Sequence, residues 1–314
     1  VGSLAHRVED GDSGRERQRK EHAMTAGMMA VLAILAAAPV PALAPEAAPA
    51  AAPTPDRPTP DAGRIVFSSD RSGDWRLWTV RPDGSGLRPL TRAAEGEHDV
   101  DPMFSPDGRR ILFTSTRGGT TGVWTVAADG SGAARVADGD QAEWAPDGRA
   151  IALRRGGRII VRTLADGREA AVTPEGWTTC SGPAFSPDGK TIIFARLRDG
   201  ANAIYTLPAT GGEPALVIGD RGACEPHFAP DGKTVLYETE THLAAVAPDG
   251  SKGRPVTWFG GVQRYGRYSP DGRQIVFCQA PGPEGPWELY VIPAAGGSPR
   301  KLTDGGSDMV PDWK

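Results

Sequence analysis

The chain of 314 residues has little cysteine: Cys180, Cys224 and Cys278, with no CxxC pair anywhere. That excludes a zinc ribbon and a thioredoxin-type redox motif, and it limits the chain to one internal disulfide. Histidine is scarce too, five in all, of which only His98, His227 and His242 lie beyond the first fifth of the sequence. Acid–base chemistry therefore has few candidates. The sequences GxSxG, HExxH and GxxxxGK[ST] are absent, so a serine elbow, a zincin helix and a P-loop have no anchor here. No excess of basic charge is present either, with 35 Lys+Arg against 39 Asp+Glu. A polyanion binder ordinarily carries a clear basic surplus, so nucleic acid is not an expected ligand.

What is abundant is Gly (41) and Pro (29), alongside 39% hydrophobic and 24% charged residues. That composition suits a globular chain with many turns between short strands. The front is different. A basic segment, Arg15 to Lys20, precedes the apolar run Met28 to Ala38 and the small-residue sequence Ala42, Leu43, Ala44. Residues 1–44 therefore read as a leader, either an export signal or an uncut N-terminal anchor. Pro39 and Pro41 interrupt a run already shorter than the roughly 20 residues of a spanning helix. Residues 45–63 form an Ala/Pro-rich linker that favours extended polyproline II and cannot build a core. Membrane contact is expected only through the leader, and the compartment is periplasmic or otherwise exported.

From Arg64 onward the chain is periodic. Ser/Ala-Pro-Asp-Gly begins at Ser105, Ala145, Ser186, Ala229 and Ser269, each preceded by an aromatic residue: Phe104, Trp144, Phe185, Phe228 and Tyr268. A repeat of about 40 residues is in the propeller range. Each unit reads as four strands. The first ends in Pro-x-aromatic, and Pro-Asp-Gly turns the chain. A β-branched strand such as RILFTS from Arg110 follows, then a third such as GVWTV from Gly122, and a short polar fourth such as PRKLT from Pro299. Polar fourth strands suit an exposed rim. Pro within the first strand places that strand at the inner edge, where a missing N–H leaves no gap in a ladder.

The first unit lacks its Pro-x-aromatic strand, and the chain ends on a spare one, Pro311-Asp312-Trp313. Together they complete one blade. The expected fold is all-β: a six-bladed β-propeller of four-stranded blades spanning residues 64–314, its ring closed by the C-terminal strand completing the first blade.

The Pro-Asp-Gly turns, the hairpins Ser69-Asp70-Arg71-Ser72-Gly73 and Ser115-Thr116-Arg117-Gly118-Gly119, and Asp-x-x-Pro-x-aromatic at Asp99 to Phe104 and Asp308 to Trp313 resemble the TolB-type propeller repeat, a WD-like family. The resemblance covers Arg64 to Lys314, while the α/β domain that precedes the propeller in that family has no counterpart in the sequence. It implies a protein-binding or scaffolding module of the cell envelope, with peptidoglycan-associated lipoprotein as the partner in the Tol-Pal system. No cofactor is expected. The alternative reading is a propeller enzyme, of lactonase or lyase type with a metal at the channel mouth, or a stand-alone relative of the prolyl oligopeptidase propeller. Propellers host both classes.

Aligning the inner strands on their Pro position selects residues one and three before it: Asp99, Asp101, Glu225 and Asp308, with Asp140 two before its aligned slot. Strand alternation places them, with His227 and Arg264, around one mouth of the channel. An acidic mouth would hold a cation or a basic partner segment. The competing reading is that these carboxylates cap inner-edge N–H groups or pair with arginines. Arg71 and Arg117 are expected to bond their own turns or an adjacent blade. Cys180 and Cys224, on adjacent inner strands, could form a disulfide or remain free, buried small residues. Trp75, Trp177, Trp258 and Trp287 lie in or beside turns, where exposed aromatics could form a binding surface.

Overall fold

The computed structural model describes residues 63–314 except Asp220 and Arg221, so the leader and all but the last residue of the linker lie outside the described residues. Six antiparallel four-stranded sheets make up the fold, each ordered from inner to outer strand as the repeat requires. The inner strands of blades 1 to 6 are Asp308–Trp313, Asp99–Phe104, Asp140–Trp144, Cys180–Phe185, Cys224–Phe228 and Val262–Tyr268. Blade 1 joins the chain's last strand to Ile65–Ser69 in antiparallel register, Ile65 opposite Trp313 and Ser69 opposite Asp308. The lone first strand and the lone last strand thus satisfy one another, and no blade of the ring is left a strand short.

The Pro-Asp-Gly turns work by local chemistry. In blade 2 the Gly108 N–H donates to the Ser105 carbonyl at 2.8 Å. Asp107 Oδ1 accepts from Ser105 Oγ at 2.6 Å and from the Arg109 N–H at 3.0 Å. Gly108 sits at φ +68°, and its equivalents Gly148, Gly189, Gly232 and Gly272 lie at +69° to +71°. This is a type I turn closed by a left-handed residue, which only Gly adopts without strain.

The core lies between blades. The second strand of each blade supplies a fully buried run, with Phe67, Phe113, Phe194 and Phe277 among the largest enclosed side chains. The apolar clusters join neighbouring sheets: one takes Val66 and Leu77 of blade 1 together with Phe104, Ile111 and Phe113 of blade 2. Burial on this scale, at about 25 cal/mol per Å² of apolar surface, is the main force holding the ring together.

Two alternatives left open by the sequence are decided here. Cys180, Cys224 and Cys278 are all free. Cys180 packs among Ala152, Ile159 and Phe194, whereas the Cys224 thiol lies 3.6 Å from Glu238 of its own blade, so the disulfide alternative is not taken up. Of the four turn tryptophans only Trp258 is exposed, at 63%; Trp287 is buried in the core between blades 6 and 1, and Trp177 packs edge-on to Tyr205 beneath the Arg196 guanidinium. Trp75 and Trp177 are half-buried, so the four do not form one exposed aromatic surface.

Candidate functional site

Every inner strand is bulged at one place, between the fourth and the first residue before its aromatic. The residue at the bulge, three before the aromatic, has a left-handed backbone in all six blades: Asp101, Gln141, Gly182, Glu225, Tyr265 and Val310, with φ between +46° and +55°. A positive φ is strained for any residue but Gly, and its recurrence around the ring marks a built feature. In four of the six the N–H of the bulge residue is taken by a side chain of the preceding blade. Asp101 donates to Ser68 Oγ at 3.2 Å, Gln141 to Thr114 Oγ1 at 3.1 Å, Gly182 to Gln141 Oε1 at 3.2 Å and Tyr265 to Glu238 Oε1 at 2.5 Å.

In ring order, Asp101 of blade 2 stands opposite Glu225 of blade 5. The Glu225 carboxylate leans toward blade 4, where Gly182 leaves room: its oxygens lie 3.2 to 3.3 Å from where a Cβ on that glycine would be. Burial raises the Asp101 carboxyl to about 7, with the negative charges of Asp140 and Glu225 adding to it. Burial likewise raises Glu225 to about 7, helped by the charge of Glu238. Beside them, Asp140 is paired with Arg154 through two bonds of 2.6 and 2.8 Å. Arg264 lies 3.5 Å from Glu238 and also donates to the carbonyls of Thr239 and Glu240.

A second layer is formed by the residues one before the aromatic: Met103, Glu143, Ala184, His227, Arg267 and Asp312. Asp312 Oδ2 accepts the Phe104 N–H at 2.7 Å and Glu143 Oε1 accepts the Phe185 N–H at 3.1 Å, so each carboxyl caps the inner edge of the next blade. His227 reaches past the small Ala184, bringing Nδ1 to 3.3 Å from Glu143 Oε2, while among the described residues its buried Nε2 has no hydrogen-bond partner. Burial pushes Glu143 up to about 8 and holds His227 well below the usual imidazole range, the Arg267 charge depressing both.

The structure therefore divides the residues singled out from sequence. Asp101, Asp140, Glu225, His227 and Arg264 are gathered on the channel wall. Asp99 and Asp308 are fully buried inside their own blades, where Arg117 and Arg71 hold them, with Ser115 Oγ also donating to Asp99 at 2.7 Å. Those arginines lie over Phe113 and Trp78. The bulge is the physical reason: one extra residue breaks the two-residue alternation, so positions five and one before the aromatic fall on opposite faces. Sequence reasoning missed Glu143, Arg267 and Asp312, whose signal was available as polar residues recurring immediately before the aromatic. It also missed Gln141 and Tyr265 as members of the bulge ring. Among the described residues no group of three His, Cys, Asp or Glu side chains is arranged to hold a metal ion.

Comparison with known proteins agrees with this architecture. An uncharacterized protein of Agrobacterium fabrum is 28% identical over 177 residues, 54% of this chain and 59% of its own length, so the chain spans about three fifths of that relative. The crystal structure of TolB from Acinetobacter baumannii superposes with a TM-score of 0.69 at 17% identity, covering 82% of this chain and 67% of that one. An oligogalacturonate lyase in complex with manganese shares the fold at a TM-score of 0.52 and 16% identity, covering 79% and 74%. The TolB beta propeller domain family matches residues 48–157 and 142–314, and the chain belongs to that family.

Proposed function

We propose that the propeller is an exported binding or scaffolding module of the cell envelope, and that it receives a basic segment of a partner protein at the channel mouth lined by Asp101 and Glu225. The observation that carries this reading is the state of those two carboxyls. They stand across the channel from one another on strained, repeated bulges, and among the described residues neither is ion-paired, whereas neighbouring Asp140 and Glu238 have arginine partners. A low-dielectric channel concentrates their field and attracts a cationic loop or terminus more strongly than the net charge implies. Rigid strands around a concave mouth also spare the ordering cost of a flexible site.

Family membership supports a protein partner, and the likeness to TolB makes peptidoglycan-associated lipoprotein the first candidate. The experiment is a titration of that lipoprotein, without its lipid, into wild-type protein and into a D101N/E225Q double variant at several salt concentrations. Charge complementarity mostly sets association rate and salt dependence. The variant should bind more slowly, with a flatter salt dependence and an unchanged fold. Binding by both proteins with identical rate and salt slope would reject the mouth as the docking site.

A further inference from the structure

The cleft between blades 2 and 3 departs from the repeat. In every blade the second strand sets a buried Val or Ile opposite the repeat aromatic, and the third strand sets one residue opposite that Val or Ile. In five blades this third-strand residue is apolar and buried: Val80, Val126, Leu207, Val246 and Ile292. In blade 3 it is Arg162, opposite Ile151, and Glu169 of the fourth strand stands opposite Arg162. Residues directly opposite one another in a sheet share a face. This face is the one packed on blade 2, whose Ala137 joins Ile151, Leu153 and Ile160. A guanidinium therefore stands where the other blades carry a Val, Leu or Ile.

Beside it lies a cavity of about 370 Å³, lined by the outer strand of blade 2 and by Arg155, Arg162 and Glu169 of blade 3. That volume is at the small end of the range for small-molecule pockets. Glu169 accepts from Arg155 at 2.6 Å and from Arg162 at 2.8 Å, Arg155 also donates to the Asp138 carbonyl, and Arg135 pairs with Asp138 at 2.7 Å. Three guanidiniums thus meet two carboxylates, and one positive charge is left over. Arg162 is where donors remain. Its Nη1 serves Glu169 and the Gly167 carbonyl, whereas among the described residues Nη2 makes no hydrogen bond and the buried Nε has no acceptor. Nε and Nη2 form the guanidinium edge that holds a carboxylate by two parallel bonds. Elsewhere in this ring the same two atoms do so, Arg117 gripping Asp99 and Arg154 gripping Asp140. We propose that this cleft binds a small hydroxylated monocarboxylate of the sugar-acid class, its carboxylate held on the Nε and Nη2 edge of Arg162.

The ligand class follows from the charges and donors. One excess positive charge matches a monocarboxylate, whereas a phosphate monoester brings about −1.5 to −2 at pH 7. Glu169, the Asp138 carboxylate and the Asp138 carbonyl are acceptors for ligand hydroxyls, while an apolar acid would meet only Val136 and Ala137. The side chains of Arg162 and Glu169 are each 26% exposed, so a solute reaches them from solvent. Charge in an otherwise apolar seam does not serve packing, since replacing an ion cluster by apolar residues is often neutral or stabilising.

The test titrates D-gluconate into the full chain by calorimetry at low salt. The expected result is saturable one-site binding with a Kd of about 1 mM or tighter. Sorbitol, which has the hydroxyls without the carboxylate, should not bind, and acetate, which has the carboxylate alone, should bind roughly tenfold more weakly. Arg162→Val gives blade 3 the residue type of the other five blades; it should melt no lower than wild type and lose at least about tenfold in affinity for gluconate. Arg162→Lys keeps the charge without the two-donor edge and should lose as much; it serves as the second variant if the first does not fold. No saturable heat with the wild-type protein, or wild-type affinity in both variants, would overturn the proposal. Equal binding of sorbitol, or tighter binding of inorganic phosphate, would overturn the ligand class. D101N/E225Q should bind gluconate as the wild type does, which separates this site from the channel mouth; loss of binding in that variant would place the ligand at the mouth and count against the cleft.

Discussion

Replacing Glu143 by Gln should flatten the dependence of stability on pH. In the folded protein this carboxyl holds its proton up to about pH 8, chiefly because it is buried, against 4.5 in the unfolded chain. The folded state therefore binds more protons than the unfolded state between those values, and stability falls as pH rises through that window. For a single group with these two pKa values the loss between pH 6 and pH 8 is about 2 kcal/mol. His227 acts in the opposite sense. Its folded pKa is depressed, so its destabilising contribution grows as pH drops below 6.5 and offsets under 1 kcal/mol of the gain at pH 6. Gln resembles the neutral acid in shape and keeps an oxygen for the Phe185 N–H, which Glu143 holds at 3.1 Å. Urea unfolding at pH 6, 7 and 8 provides the assay. Wild type should lose stability steadily across that range, with Asp101 and Glu225 adding to the trend, and Glu143→Gln should lose about 2 kcal/mol less. A wild-type stability that is flat or rising from pH 6 to 8, or an identical slope in the variant, would refute the assignment of a buried, protonated Glu143.

Two further outcomes follow from the same geometry. Deleting Asp308 to Lys314 strips the inner strand from blade 1 and exposes the edge of Ile65–Ser69, so thermal unfolding should fall markedly and soluble aggregates should form in light scattering; an unchanged melting temperature would contradict ring closure. Arg117→Ala leaves the fully buried Asp99 carboxylate without its guanidinium and should cost about 3 to 5 kcal/mol in chemical denaturation, with Arg117→Lys intermediate; a loss under about 1 kcal/mol would show that the pair is not the latch of blade 2.

The fold was legible because its punctuation is local. Pro pre-sets a turn, Asp107 and its equivalents bond the following N–H, and a Gly must take the left-handed position, so each copy records a turn whatever the tertiary context. Ring closure was legible by counting, from one inner strand missing at Arg64 and one in excess at Trp313. The site was legible only in part. Asp101 and Glu225 carry the tell-tale Pro next in sequence, which marks the bulge. Blades 3 and 6 have Ala142 and Gly266 there, and Gln141 and Tyr265 passed unnoticed. Asp99 and Asp308 obey the same spacing rule and are turned into their blades by the extra bulge residue, which no period-two pattern encodes. The exposure of the turn tryptophans was not legible for a different reason: it depends on contacts distant in sequence, so Trp258 is exposed while Trp287 is covered by residues of blade 1.

The central claim is that Asp101 and Glu225 form the cation-receiving mouth. Both stand near half-protonation at pH 7, since burial lifts each to about that value. A cationic segment seated between them would favour the ionised forms and expel what protons remain. The most direct measurement is calorimetric titration of lipid-free peptidoglycan-associated lipoprotein into the propeller at pH 7, in two buffers of different ionisation enthalpy. The account predicts release of roughly one proton per complex, falling toward zero in D101N/E225Q; binding with no proton release, or with proton uptake, by the wild-type protein would contradict it.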